Sequence, residues 1–267
     1  MRAQAGERFD PVVEVLMTPR PITVKPFDTV AAAATIMRTC RVRHLPVVAP
    51  ALVGVLSIRD LVAADEEAPV GDVMSAPAQS VAPAASVSSA CDKMLARDRS
   101  CLPVVQGSAL AGIFTATDAL RYAHVALEAD ARAMGRAEQM AQIMTPRPLV
   151  TAAPAATLTS AWRMMCAAGV RHLPVVSDDR LCGILSDRDV LAASRGSLRD
   201  HDDGAPAVRV ADAMSTRLST IGTDQPASEA AATLLRRRVG ALPVLRGREL
   251  CGMLTVADFL HWILAHA

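Results

Sequence analysis

Aromatic residues are scarce, with two Trp, one Tyr and four Phe in 267 residues. The 51 % apolar content is therefore carried by aliphatic side chains, much of it alanine and valine. No run of ~18 uncharged apolar residues occurs, so no membrane-spanning helix is expected. The N-terminal MRAQAGERFD has no apolar stretch behind its basic residue, which argues against a secretory leader. Charge of either sign is balanced to a net +1. That excludes nucleic-acid binding through bulk electrostatics, although small basic clusters can still hold a phosphate locally. The six cysteines (Cys40, Cys91, Cys101, Cys166, Cys182 and Cys251) form no C-x-x-C and have no His at metal-ligand spacing. Each falls inside an apolar pattern, so buried thiols in a reducing cytoplasm are expected, without metal or redox chemistry.

What the chain does have is one unit written four times. With Pro46, Pro103, Pro174 and Pro243 aligned, a helical pattern begins sixteen residues earlier, at Val30, Val87, Leu158 and Ala227. From each start the i, i+3, i+4 and i+7 positions are apolar, as in Val30-Ala33-Ala34-Met37 and Leu158-Ala161-Trp162-Met165. That spacing is one buried face of an amphipathic helix. A glycine follows each proline (Gly54, Gly112, Gly183, Gly252), with a hydroxyl residue three positions on and an aspartate six positions on. Such fixed spacings mark an internal repeat. Each copy reads as a short strand, a helix, a two-stranded hairpin and a second helix, with a methionine ahead of it (Met17, Met74, Met144, Met214). The short strands lie near residues 22–24, 80–81, 149–151 and 219–221. Asp28 and Ser86 are the expected caps of the first helices of units one and two. Residues 121–142 are charged and Ala-rich and read as a connecting helix. Residues 196–206 are polar and glycine-bearing and read as a surface loop.

The repeated VRHLPVV…GILSDRD pattern, with M-T-P upstream, resembles the cystathionine-β-synthase-type (CBS) domain over about residues 15–260. The resemblance implies an α+β (α/β-like) fold of four β-α-β-β-α units paired into two Bateman modules. The expected units span 12–66, 70–122, 141–195 and 208–265, with the connecting helix over 123–140. It also implies adenosine-nucleotide binding in the clefts of each pair.

Several residues are candidates for that chemistry. Ser57/Asp60, Thr115/Asp118, Ser186/Asp189 and Thr255/Asp258 stand where a hairpin passes into a helix. The carboxylate can accept from two ribose hydroxyls, and the helix start favours a phosphate. Ser-x-x-Asp is also nearly a helix-capping box, and the two roles are compatible. The family's ribose-binding position is the aspartate. Ala33, Ala90, Ala161 and Ala230 are identical in all four helices; they read either as ordinary packing or as room for a flat base. By resemblance Ala33, Ala161 and Ala230, with Val42, Val170 and Val239, border the adenine pocket. Unit two has Arg99 in place of that valine, which makes its base pocket doubtful.

Basic residues alternate between copies. Units one and three carry Arg43-His44 and Arg171-His172 before the strand, where units two and four have Ser100-Cys101 and Gly240-Ala241. Arg59 and Arg188 alternate in the same way with Thr117 and Ala257. Recurrence at two positions points to phosphate binding, with Arg supplying planar fork donors and His a pH-sensitive contribution. The sequence therefore suggests a non-catalytic regulatory sensor of AMP, ADP or ATP, with or without Mg²⁺, that signals through a protein effector. Another adenosyl or alarmone ligand (a cyclic dinucleotide or S-adenosylmethionine) and a ligand-free interaction module are the alternatives. The two modules are expected to dock within a chain or as a homodimer. No paired-carboxylate or Gly-rich phosphate loop suggests an enzyme.

Overall fold

The computed structural model describes residues 10–62, 64–134, 139–194 and 207–267. The first helices of the four units run Val30–Cys40, Val87–Leu95, Leu158–Ala168 and Ala227–Arg237. All four begin where the apolar periodicity begins. Their inward positions are buried, from Val30, Ala33 and Met37 in unit one to Ala227, Ala230 and Leu234 in unit four. Side chains close three of the four starts: Thr29, Ser86 and Thr157 accept from the backbone N–H three residues on. Asp28 is not the cap of the first helix. Its carboxylate accepts from Lys25 N at 2.7 Å in the preceding turn, which leaves Thr29, one residue nearer, to do the capping.

Each hairpin follows its helix: His44–Val48 with Leu52–Ser57, Cys101–Gln106 with Ala109–Thr115, His172–Ser177 with Arg180–Ser186, and Ala241–Arg246 with Glu249–Thr255. The expected leading strands are reduced to short parallel pairings, Val24 with Val47, Val81 with Val104 and Ala152 with Val175, and Ile221–Gly222 with Val244–Leu245. The second helix of unit two continues without a break from Ala116 to Met134, through much of the expected connecting helix. The surface loop expected over 196–206 lies outside the described residues.

The pairing of units is an exchange. Thr18–Pro19 of unit one pairs with Gly112–Ile113 of unit two, and Ser75 of unit two pairs with Val55 of unit one. Units three and four repeat this, with Thr145–Pro146 on Gly252–Met253 and Ser215 on Ile184. The repeat's glycines now have a reason. A Cβ on Gly112, Gly54, Gly252 or Gly183 would collide with the sulfur of Met17, Met74, Met144 or Met214 respectively, in every case a methionine of the other unit. Each unit thus holds its partner's methionine in a hollow that only glycine leaves open.

The two pairs then close on each other within one chain. One core joins units one and three, with Leu45, Leu56 and Leu61 packed among Leu158, Leu173 and Val190. The other joins units two and four, with Leu102, Phe114 and Leu120 among Leu234, Phe259 and Trp262. Full burial of each such side chain stabilises by about 1.5–3 kcal/mol. The four units form a ring in the order one, two, four, three, and its inner wall encloses a cavity.

Candidate functional site

The cavity has a volume of roughly 1470 Å³ and takes residues from all four units. Among the described residues ten arginines and four aspartates line it, whereas the whole chain carries a net charge of only +1. The positive charge is concentrated inward. Arg43 and His44 from unit one, Ser100 from unit two, Arg171 and His172 from unit three and Gly240 from unit four meet near the centre. His44 Nε2 lies 3.0 Å from Ser100 Oγ, and Arg171 also donates to that hydroxyl. A Cβ on Gly240 would lie 2.6 Å from His172 Cε1 and 3.2 Å from Arg43 Nη1, so the glycine lets these basic groups approach.

Crowding and burial shape their chemistry. Burial, reinforced by Arg171, Arg43, Arg188 and Arg99, pushes the His44 imidazole down to about 3. Burial and then Arg43 push His172 to about 3 as well, against the pull of Asp187. Both rings are therefore neutral near pH 7. Arg171 is lowered, mainly by burial, and Arg188 is lowered to about 10 by burial and by Arg43. Arg43 Nε is buried without a hydrogen-bond partner. An unpaired buried donor costs about 1–3 kcal/mol, and an anion in the cavity is the group that would relieve it. The centre favours negative charge from a ligand.

Around this centre stand the four Ser/Thr-x-x-Asp elements. In each, Oδ2 of Asp60, Asp118, Asp189 or Asp258 accepts from both the backbone N–H and the hydroxyl of Ser57, Thr115, Ser186 or Thr255, at 2.6–2.9 Å. The carboxylate half of the capping box is made in all four units, and the hydroxyl also accepts from the aspartate's own N–H in units two and three, at 3.4 and 3.3 Å. The carboxylate half occupies one carboxylate oxygen and sets the direction of the other. Oδ1 of Asp118 accepts from Arg121, and Oδ1 of Asp258 accepts from Thr145 Oγ1 at 3.0 Å. Burial raises Asp60, Asp118 and Asp258 above the usual carboxylate range, opposed by the cap hydrogen bonds.

Thr145 belongs to unit three and Asp258 to unit four, so the clefts are composite. The M-T-P segment and the valine come from one unit, and the Ser/Thr-x-x-Asp comes from its partner. Thr18, Ile22 and Val42 of unit one line the cavity with Thr115 and Asp118 of unit two. Thr145, Leu149 and Val170 of unit three line it with Thr255 and Asp258 of unit four. In both clefts the Arg-His pair directly follows the valine. The alternation read along the chain therefore separates two kinds of cleft rather than two kinds of unit.

The remaining candidates divide. Arg188, Asp189 and Val239 line the cavity, whereas Ser57, Arg59, Asp60 and Ser186 do not. Arg59 is engaged elsewhere, with Asp98 Oδ2 at 3.1 Å and the Val170 carbonyl at 3.1 Å. Ala33, Ala161 and Ala230 have no exposed surface and lie within the two cores, away from the cavity wall. Three positions escaped the reading of the sequence. Ile22 and Leu149 fall five residues after their methionines, where units two and four have polar Gln79 and Ser219; aligning on Met would have shown it. Asp187 is 3 % exposed, with Oδ1 unpartnered and its N–H on the Arg171 carbonyl at 3.1 Å. It stands where the other units have Ile58, Ala116 and Val256, and is the only acid in that column.

Comparison with known proteins agrees with this geometry. The CBS domain model matches residues 12–67, 70–125, 140–196 and 210–265. The structure of protein MJ1225 from Methanocaldococcus jannaschii superposes with a TM-score of 0.82 at 23 % identity, covering 95 % of this chain and 100 % of that one. A conserved protein from Pyrococcus horikoshii superposes at 0.66 and 22 % identity with the same coverage. An inosine-5'-monophosphate dehydrogenase from Korarchaeum cryptofilum is 30 % identical over 129 residues, which are 48 % of this chain and 25 % of the enzyme. The match thus spans a quarter of that curated relative's length. With four matched copies over most of its length, exchanging strands in two pairs, the chain belongs to the CBS domain family.

Proposed function

We propose that this protein is a non-catalytic regulatory sensor of adenine nucleotides, read out by a protein effector. The observation that carries the proposal is the basic cavity lined by all four units, with apolar-lipped clefts opening into it. A base lies on Ile22 and Val42, or on Leu149 and Val170. The ribose hydroxyls meet Asp118 or Asp258, and the phosphates run inward to Arg43-His44 or Arg171-His172. Phosphates from different clefts share that centre, so one ligand alters the affinity for the next and the angle between paired units. AMP, ADP and ATP are the candidate ligands. A divalent ion such as Mg²⁺ would accompany the longer phosphates, because several phosphates repel one another within a shared centre.

Thermal-shift measurements with each nucleotide, with and without Mg²⁺, test the reading. A nucleotide at 100 times its Kd stabilises the native state by about 2.7 kcal/mol. No shift with any adenine nucleotide would remove the proposal. A second reading, a cyclic dinucleotide, is favoured by one observation: the clefts open into a single continuous cavity, so one ligand can present two bases. S-adenosylmethionine fits less well, because its cationic sulfonium would meet an excess of arginines.

A further inference from the structure

The four clefts are not equally open, and the difference lies in the Asp98-Arg99-Ser100 stretch of unit two. By the register of the repeat, Asp60 of unit one shares a cleft with the Met74-Ser75 segment and residue 99 of unit two. Arg99 Nη1 donates to Ser75 Oγ at 3.1 Å, across the place where the other units present only a valine methyl. On the opposite lip Asp98, in a left-handed conformation (φ 48°), accepts from Arg59 of unit one at 3.1 Å. Unit four has Arg238 at the position of Asp98, also left-handed (φ 55°), and a like charge opposite Arg188 forms no such clasp. Asp60 does not reach the cavity wall, whereas Asp118, Asp189 and Asp258 all do.

We propose that Arg99 and Asp98 close the Asp60 cleft from within the chain, so that module one offers one nucleotide cleft and module two offers two. Arg99 is a built-in occupant: its guanidinium takes the base end of the cleft and supplies Asp60 with the positive neighbour a ligand lacks. Arg59, held by Asp98 and the Val170 carbonyl, is a strut between modules rather than a phosphate hand. The proposal rests on the nucleotide reading of the open clefts. It explains why a chain with four Ser/Thr-x-x-Asp elements breaks its own repeat at one lip.

Equilibrium dialysis of the full-length protein with ADP tests the stoichiometry. Arg99→Val and the double variant D98R/R99V, which gives unit two the residues of unit four, should each bind one more equivalent of ADP than the wild type. Arg99 is exposed and belongs to neither core, so these substitutions leave the cores intact. An unchanged stoichiometry in both variants, or loss of one equivalent from the wild type on Asp60→Ala, overturns the closure. A second measurement does not depend on any nucleotide: the carboxyl titration of Asp60, followed by NMR in the apo protein. Arg99→Val should move it upward and leave that of Asp258, which Arg99 does not touch, in place; an unmoved Asp60 places Arg99 elsewhere and overturns the proposal. If no form binds ADP, the sensor reading falls, and the Asp60 titration alone decides whether the lip is closed.

Discussion

The cleft shared by Thr145 and Asp258 and the cleft shared by Ser75 and Asp60 are built from one repeat, with the same glycine hollow and the same pair of hydrogen bonds to the aspartate. Beyond the M-T-P segment itself, they differ in chemistry at three further places along the partner's lip. Where the first has Leu149, Val170 and Arg171-His172, the second has Gln79, Arg99 and Ser100-Cys101. The scaffold is therefore indifferent to these residues, and they alone decide whether a cleft presents an apolar wall followed by cationic groups. Shared architecture accounts for the fold; lip chemistry is where the clefts differ.

The sharpest separation between the two kinds of lip should be acid sensitivity. His44 and His172 stay neutral in the folded centre down to about pH 3 but protonate near 6.5 when unfolded. Below the unfolded value the unfolded chain binds more protons, so stability falls as pH drops from about 6.5 toward 3. The raised aspartates act in the opposite sense near the carboxylate range, so the loss is clearest in the upper part of the window. Thermal melts from pH 7 to 5 should show a falling Tm, and H44N/H172N should flatten the profile. Bound ADP should lessen the fall, because phosphate charge raises both imidazole pKa values.

The open lip should next be broken by Arg171→Ala. Loss of a hydrogen bond to a charged group removes about 1.5–3 kcal/mol, which is about 10- to 150-fold in nucleotide Kd by titration calorimetry. Gly252→Ala and Gly54→Ala attack what the two clefts share. Each displaces the partner's methionine and should lower stability by about 1–3 kcal/mol in chemical denaturation, with similar values for the two. The aspartates sharpen the contrast: Asp258→Ala should weaken ADP binding, whereas Asp60→Ala should leave it unchanged. Asp60→Ala should still lose about 0.5–2 kcal/mol of stability through its cap. Smallest of all, Arg59→Ala should lower stability by only about 0–1 kcal/mol for its partly exposed ion pair with Asp98.

Much of the fold was legible because it is periodic. Helix starts at Val30, Val87, Leu158 and Ala227 follow from a buried stripe, and local hydrogen bonding makes the Ser/Thr-x-x-Asp caps readable. Asp28 misled because Asp and Thr are both good caps, and the choice between neighbours rests on the Lys25 turn. The site was half legible. The Arg-His alternation is visible along the chain, but its meaning depends on which unit faces which, and strand exchange between partners is a tertiary fact. Ala33, Ala161 and Ala230 show the limit of identity as a guide, since a tight core selects alanine as firmly as a ligand would. Asp187 was hidden by its setting, inside a motif whose other letters drew attention.

The reciprocal methionine hollows draw a line through the chain. Met17 with Gly112 and Met74 with Gly54 are satisfied before Met134; Met144 with Gly252 and Met214 with Gly183 are satisfied after Gln139. Among the described residues no such methionine contact crosses between the halves. A polypeptide divided between them would yield two fragments, each complete in its own pairing but bare along two apolar faces. The apolar surfaces now sealed by units one with three and two with four would then drive reassembly. The link between the halves thus plays no part in the methionine pairing, and the self-paired part of this molecule is two units, not one or four.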